Sequence, residues 1–341
     1  MSSPSATPAP PSPARRMAAV ALLVPVLVAL ALWAFAWPGA RTAPRDLPLG
    51  VAGPAAAAAP VEQQLRSHKG AFEIHRYADE AAARAAIEDR AVYGAVVATA
   101  QGPKLLTATA ASPVVAQLLQ QAVSAGAPKG TQVPTVDVVA APAGDPRGAV
   151  LSSSVLPLAI AGVAGGSAVT LFGLRGWRAA GALVVAAALV GVVAAALTHT
   201  WLGVLTGNWW DEAGVLGLSA LAVGGTVAGL AALIGPAGIG VGALLMVLLG
   251  NPFSGVSSAP QLLPEPVGRI GQFLPPGAGG TLLRSVSYFD GARAMTPAIT
   301  LAAWAGLGLV CVLLGGLRRK RGAGEGAGEP AAREAVAVAV G

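Results

Sequence analysis

The chain has 341 residues, of which 54% are hydrophobic and 11% charged, and its mean hydropathy is +0.65. Soluble domains carry about 25% charged residues, so this composition excludes an ordinary soluble protein and indicates an integral membrane protein. Twenty-two Lys and Arg against 16 Asp and Glu give a net charge of +6. The basic residues lie at the ends of apolar runs and are not interleaved with aromatics, which argues against a nucleic-acid partner.

The N-terminal segment joins a Pro- and Ser-rich stretch to the first apolar run. Residues 1–16 are predicted to be a disordered cytoplasmic segment. The run 17–37 follows a pair of arginines and is long enough to cross a hydrocarbon core of about 30 Å as a helix. A cleaved signal peptide is the alternative, because Ala34-Phe35-Ala36 has the pattern of a cleavage site.

Residues 38–148 are predicted to form an extracytoplasmic mixed α/β domain, because strand and helix patterns alternate along them. Asp79 is predicted to cap the helix that follows it, since its carboxylate accepts free N–H groups of the first turn. Ser112 and Pro113 are predicted to open a later helix. The predicted strands are residues 47–51, 71–77, 92–98, 104–109 and 134–140.

Residues 149–316 are predicted to be a five-helix membrane domain, followed by a basic and then flexible cytoplasmic tail, 317–341. The stretch 251–295 is rich in Pro and Gly and only partly apolar, so it is predicted to form short re-entrant or interfacial helices on the outer face. An ordinary surface loop is the alternative. The predicted spans are 150–174, 179–197, 213–234, 239–249 and 297–314.

The span 239–249 is short, and a re-entrant segment there would leave an odd number of crossings. With six crossings in all, Arg175, Arg178 and the basic cluster 318–321 fall on the same side as the N-terminal arginines, as the positive-inside rule requires. The sequence therefore predicts a multi-pass protein of the bacterial plasma membrane with both termini in the cytoplasm.

Motifs for catalysis, cofactors and metals are missing from the sequence. It has no P-loop, H-E-x-x-H, C-x-x-C or G-x-S-x-G. The three histidines do not cluster with acids or with the one cysteine, which argues against a metal site. Acids are absent from the interiors of the predicted spans, which disfavours proton-driven transport. We expect no enzyme, no cofactor and no catalytic residue.

Three stretches carry a family resemblance: Ala78–Ala98, Leu248–Gly255 and Phe273–Gly291. The first has a helix pattern followed by an apolar strand, and the other two precede the final span. With one helix, a large outer domain and five further helices, the chain resembles an ABC-2-type transporter permease, and more narrowly the YhgE/Pip-like branch. The resemblance implies a homodimer or heterodimer of permeases in membrane lipid, driven by a separate ABC ATPase subunit.

The resemblance further implies an efflux function for a hydrophobic or amphipathic substrate. The turn after the second span would contact the ATPase, although it is short and the N-terminus lacks the amphipathic helix of many members. The implied coupling turn is Arg175, Gly176, Trp177 and Arg178. The implied outer gate is Asn251, Pro252, Pro275, Pro276 and Gly277. The alternative is a non-transporting membrane scaffold that binds an envelope partner through its outer domain.

Overall fold

The computed structural model describes residues 12–126 and 132–339. It is mostly helical, with five candidate membrane-spanning helices and a small mixed sheet. The predicted disordered segment lies mainly outside the described residues, and Ser12 caps the first helix through the N–H of Arg15.

The helices and strands follow one another in this order. The sheet region contains β1 Leu47–Ala52, α2 Ala55–Ser67, β2 Phe72–Tyr77, α3 Glu80–Glu88, β3 Gly94–Thr99, β4 Gly102–Thr107, α4 Pro113–Gly126 and β5 Thr135–Asp137. The remaining helices are α1 Pro13–Ala40, α5 Ala149–Leu171, α6 Gly176–Trp201, α7 Trp209–Ile234, α8 Ala237–Phe253, α9 Val267–Gln272, α10 Pro275–Tyr288 and α11 Met295–Ala339.

The five-stranded sheet has the order β2-β1-β3-β4-β5. Strand β1 pairs in parallel with β2 and β3, β3 and β4 form an antiparallel hairpin, and β5 is parallel to β4. The predicted mixed sheet is therefore confirmed. So are both predicted caps, because Asp79 accepts from the N–H of Ala82 at 2.8 Å and Ser112 from that of Val115 at 3.2 Å.

Helix α7 is the centre of the helical bundle. In its most apolar stretch 67% of the residues are buried, against 28% or less in the other four long helices. Small residues allow this close packing: a Cβ on Gly166 of α5 would lie 2.5 Å from the carbonyl oxygen of Gly224. Gly229 of α7 packs in the same way on Gly308 of α11. The pairs Gly162/Gly166 and Gly225/Gly229, each spaced four residues apart, thus lie in helix contacts.

The bundle has two different ends. At one, here called the sheet end, the sheet domain meets the loop between α6 and α7 and the segment 254–294; Thr206 donates to the carbonyl of Ser287 there at 3.0 Å. At the other, the turn end, lie the α5–α6 and α7–α8 turns. A Cβ on Gly316 of α11 would lie 2.7 Å from the Cα of Gly176, which places α11 beside the first of these turns.

Helix α8 starts against Leu230 at the turn end and runs back toward the sheet end. In its last turn Phe253 contacts the ring of Trp33, and Gly250 packs on Pro276. The helix contains the predicted span 239–249 but has only 17 residues, so it is shorter than the five long helices. At about 1.5 Å per residue it is about 25 Å long.

Two predicted boundaries differ from the structure. The predicted spans 179–197 and 213–234 are longer in the structure, because α6 continues to Trp201 and Asn208 caps α7 by accepting from the N–H groups of Trp210 and Asp211. The predicted span 297–314 is part of a longer helix, α11, which extends to Ala339.

Candidate functional site

Helix α10 enters the bundle from the sheet end. A Cβ on Gly279 would lie 2.6 Å from the hydroxyl oxygen of Ser219, which is about 15 Å along α7 from its first residue. Pro275 and Pro276 line a small apolar cavity together with Val223, further along α7. The first turn of α10 is therefore buried beside the middle of α7.

The predicted outer-gate residues lie close together in this region. Pro275, Pro276 and Gly277 form the first turn of α10 and are buried. Prolines suit this position because the first turn of a helix has free N–H groups. Asn251 and Pro252 are in the last turn of α8, where a Cβ on the preceding Gly250 would lie 2.7 Å from Pro276.

Three hydrogen bonds hold the connection between α9 and α10. Gln272 donates to the carbonyl of Ser254 at 2.8 Å and accepts from the hydroxyl of Thr281 at 2.7 Å. The indole N–H of Trp304, in α11, donates to the carbonyl of Phe273 at 2.7 Å. The reversal of the chain between the two helices is thus anchored on both sides.

The predicted coupling residues lie at the opposite, turn end. Arg175 immediately precedes α6, and Gly176, Trp177 and Arg178 form its first turn, so the actual turn is residues 172–175. Trp177 is 72% exposed, and the guanidinium carbon of Arg178 lies 5.6 Å from its ring centroid, in a cation–π contact. The predicted gate residues lie beside the middle of α7, so the two predicted sites do not meet.

A histidine–carboxylate pair was not expected from the sequence. Glu212, in the first turn of α7, is fully buried, and its Oε2 lies 2.7 Å from Nδ1 of His199, while Oε1 accepts from the N–H of Gly207 at 2.9 Å. The two side chains meet because the ends of α6 and α7 face each other. His75 forms a second such pair, since its Nε2 is 3.4 Å from Oε1 of Glu73.

An arginine-lined cavity of about 430 Å³ separates the sheet domain from the segment 254–294. Arg90, Arg269, Arg284 and Arg293 line it, together with one acid, Glu265. Burial and the neighbouring Arg284 lower the pKa of Arg90 to about 10. No local sequence pattern indicates this cavity, because its arginines come from segments nearly 200 residues apart.

Across residues 12–126 and 132–339, no group of three or more His, Cys, Asp or Glu is placed to hold a metal ion. Comparison with protein-family models, with curated proteins and with solved structures finds no match.

Proposed function

We propose that this chain is the permease subunit of an ABC-2-like exporter. It moves a hydrophobic or amphipathic substrate out of the cytoplasm or the inner leaflet, and a separate ATPase supplies the energy. The observation that carries the proposal is the position of α10, whose first turn is buried beside the middle of α7. Interrupted backbone at membrane depth is stable only where protein or a water-filled path shields it, and broken helices are a feature of transport paths.

The proposed topology has six crossings, with α8 as the fifth. Its support is that α8 starts at the turn end and runs toward the sheet end, and that the segment after it contacts the sheet domain, where the hydroxyl of Tyr93 donates to Gln261 at 2.9 Å. Both termini then lie in the cytoplasm of a bacterial cell, and the sheet domain lies outside. Arg175 and Arg178 are at the turn end, which is the cytoplasmic end under the positive-inside rule.

The proposed contact with the ATPase is the start of α6. Trp177 is exposed there and lies beside Arg175 and Arg178. Tryptophan and arginine are enriched in protein–protein interfaces, because each offers a large contact area together with a polar group. Two permease chains, identical or different, would each present this surface to one ATPase subunit.

Co-purification under mild detergent tests the proposal. The tagged full-length chain is expected to recover a P-loop ATPase, and Arg175, Trp177 and Arg178 all replaced by Ala should abolish that recovery. Trp201→Ala is the matched control, because Trp201 is 75% exposed at the sheet end. Recovery that survives the triple replacement, or no ATPase with the unmodified chain, would contradict the proposed coupling.

A non-transporting scaffold is the second candidate function. It is favoured by the shortness of the turn 172–175, which offers an ATPase only a small contact surface. In this case the sheet domain would bind an envelope partner. Recovery of envelope proteins without an ATPase, unaffected by the triple replacement, is the result that this alternative predicts.

A further inference from the structure

The arginine-lined cavity has two walls from distant parts of the chain. One wall is the sheet domain, with Arg90 and Tyr93 from the turn that leads into β3. The other is the segment 254–294, with Gln261, Gln272 and Arg284. Its volume of about 430 Å³ falls within the range of small-molecule sites, about 300–1,000 Å³.

The charges around the cavity are not balanced. Four arginines face one carboxylate, that of Glu265. Among the described residues, none of these four arginines has a carboxylate oxygen within 4.0 Å. By contrast, three other arginines of the sheet domain pair with acids: Arg66 and Arg76 with Glu62, and Arg84 with Glu80. Arg269 and Arg293 are exposed, but Arg284 is buried and Arg90 is partly buried. A guanidinium group out of bulk water without a counter-ion is costly, so the cavity favours an anion.

The two most enclosed arginines retain donors for such an anion. Arg284 is 7% exposed and donates from Nη2 to the carbonyl of Val256 at 2.9 Å. Arg90 donates from Nη1 to the carbonyl of Thr281 at 3.1 Å and to the hydroxyl of Ser285. A guanidinium carries five N–H donors, so these bonds occupy only part of each group. An anion between the two would relieve the repulsion that Arg284 exerts on Arg90.

We propose that this cavity binds a phosphate group between Arg90 and Arg284. A phosphate has several oxygens and can accept paired hydrogen bonds from two guanidinium groups at once, which a single carboxylate does less well. The group belongs either to a soluble phosphate anion or to the head of a phospholipid. This site does not depend on the proposed transport function.

Binding to the full-length chain in an uncharged detergent tests the site. One arm measures radiolabelled inorganic phosphate by equilibrium dialysis. The other measures retention of phosphatidylglycerol by native mass spectrometry, with an uncharged glycolipid of the same acyl chains for comparison. Arg90→Gln and Arg284→Gln should each weaken phosphate-group binding about tenfold or more, since each removes charged hydrogen bonds. Arg147→Gln is the matched control, because Arg147 is exposed and does not line the cavity.

Either arm can support the site. Binding of inorganic phosphate identifies a soluble ligand, and retention of phosphatidylglycerol alone identifies a lipid head group; in both cases the losses must follow Arg90 and Arg284. If either variant fails to fold, as judged by size-exclusion chromatography, the double variant Arg269→Gln/Arg293→Gln decides, because both side chains are exposed. It should weaken binding several-fold. No binding in either arm, or binding that these replacements leave unchanged, would overturn the proposal.

Discussion

The sheet domain and the helical bundle are held together in different ways. The sheet is buried under large apolar side chains: Leu49, Leu105 and Leu119 are fully covered. The helices of the bundle instead pack closely at glycines, as where the backbones of α5 and α7 are in contact at Gly166 and Gly224. In water, burial of a leucine side chain contributes about 1.5–3 kcal/mol. Lipid tails are as apolar as leucine, so helices in a membrane gain instead from close van der Waals contact.

The largest expected effect comes from filling a glycine contact in the bundle. Gly166→Leu should abolish recovery of folded protein, because even a Cβ there would lie 2.5 Å from the carbonyl of Gly224 and 2.9 Å from Val227. Gly165→Leu is the matched control in the same helix, since a Cβ at that position meets nothing within 4 Å. Size-exclusion chromatography of the two variants checks this. Equal recovery would mean that the glycines do not hold the bundle.

The second-largest effect is expected from a substitution that creates a cavity in the sheet domain. Leu119→Ala should destabilise the sheet by about 2–5 kcal/mol, because Leu119 is fully buried against it. Val114→Ala, on the same helix but 41% exposed, should have little effect. Hydrogen exchange of the β3 and β4 amides is the measurement. Unchanged protection in Leu119→Ala would show that α4 does not stabilise the sheet.

A smaller effect is expected where the two regions join. Asp145 is buried and caps α5, accepting from the N–H groups of Ala149 at 2.7 Å and Val150 at 2.8 Å. Asp145→Ala should cost about 0.5–2 kcal/mol, whereas Asp145→Asn should recover part of this, because an amide oxygen still accepts. Hydrogen exchange at the start of α5 reports the difference. Equal protection in all three proteins would contradict the role of this cap.

The smallest effect concerns a surface ion pair. Hydrogen bonds from Lys104, then Arg84, lower the pKa of Glu80 from its ordinary value of 4.5. A lowered carboxyl pKa stabilises the fold above pH 4.5, and this contribution is lost as the pH falls through the folded-state pKa. Exposed pairs contribute about 1 kcal/mol or less. Glu80→Gln should therefore lower Tm slightly at pH 7. It should also make Tm fall less steeply as the pH decreases from about 5 to about 3, the range around the ordinary carboxyl pKa. A Tm–pH profile equal to that of the unmodified protein would contradict the pairing.

Local patterns predicted much of the fold. Short apolar or alternating stretches between helix and turn patterns identified all five strands, and the short polar side chains of Asp79 and Ser112 identified two helix starts. Length and hydropathy identified the five long helices. These features depend on residues within one element, so a single sequence contains them.

Contacts between distant segments could not be predicted in this way. Arg90 and Thr281 are 191 positions apart and meet only because the sheet domain packs on α10. His199 and Glu212 are 13 apart, but their contact depends on where α6 ends and α7 begins. The burial of α10 likewise depends on α7, and its own sequence indicates only a short, partly apolar helix.

Cysteine labelling in intact cells tests the central claim, that the sheet end faces the outside of the cell and the turn end faces the cytoplasm. In a Cys311→Ala background, Ser257→Cys at the sheet end and Phe172→Cys at the turn end are both exposed positions. A membrane-impermeant maleimide should label Ser257→Cys in intact cells and Phe172→Cys only after permeabilisation. Labelling of Ser257→Cys solely after permeabilisation, or of Phe172→Cys in intact cells, would contradict the proposed topology.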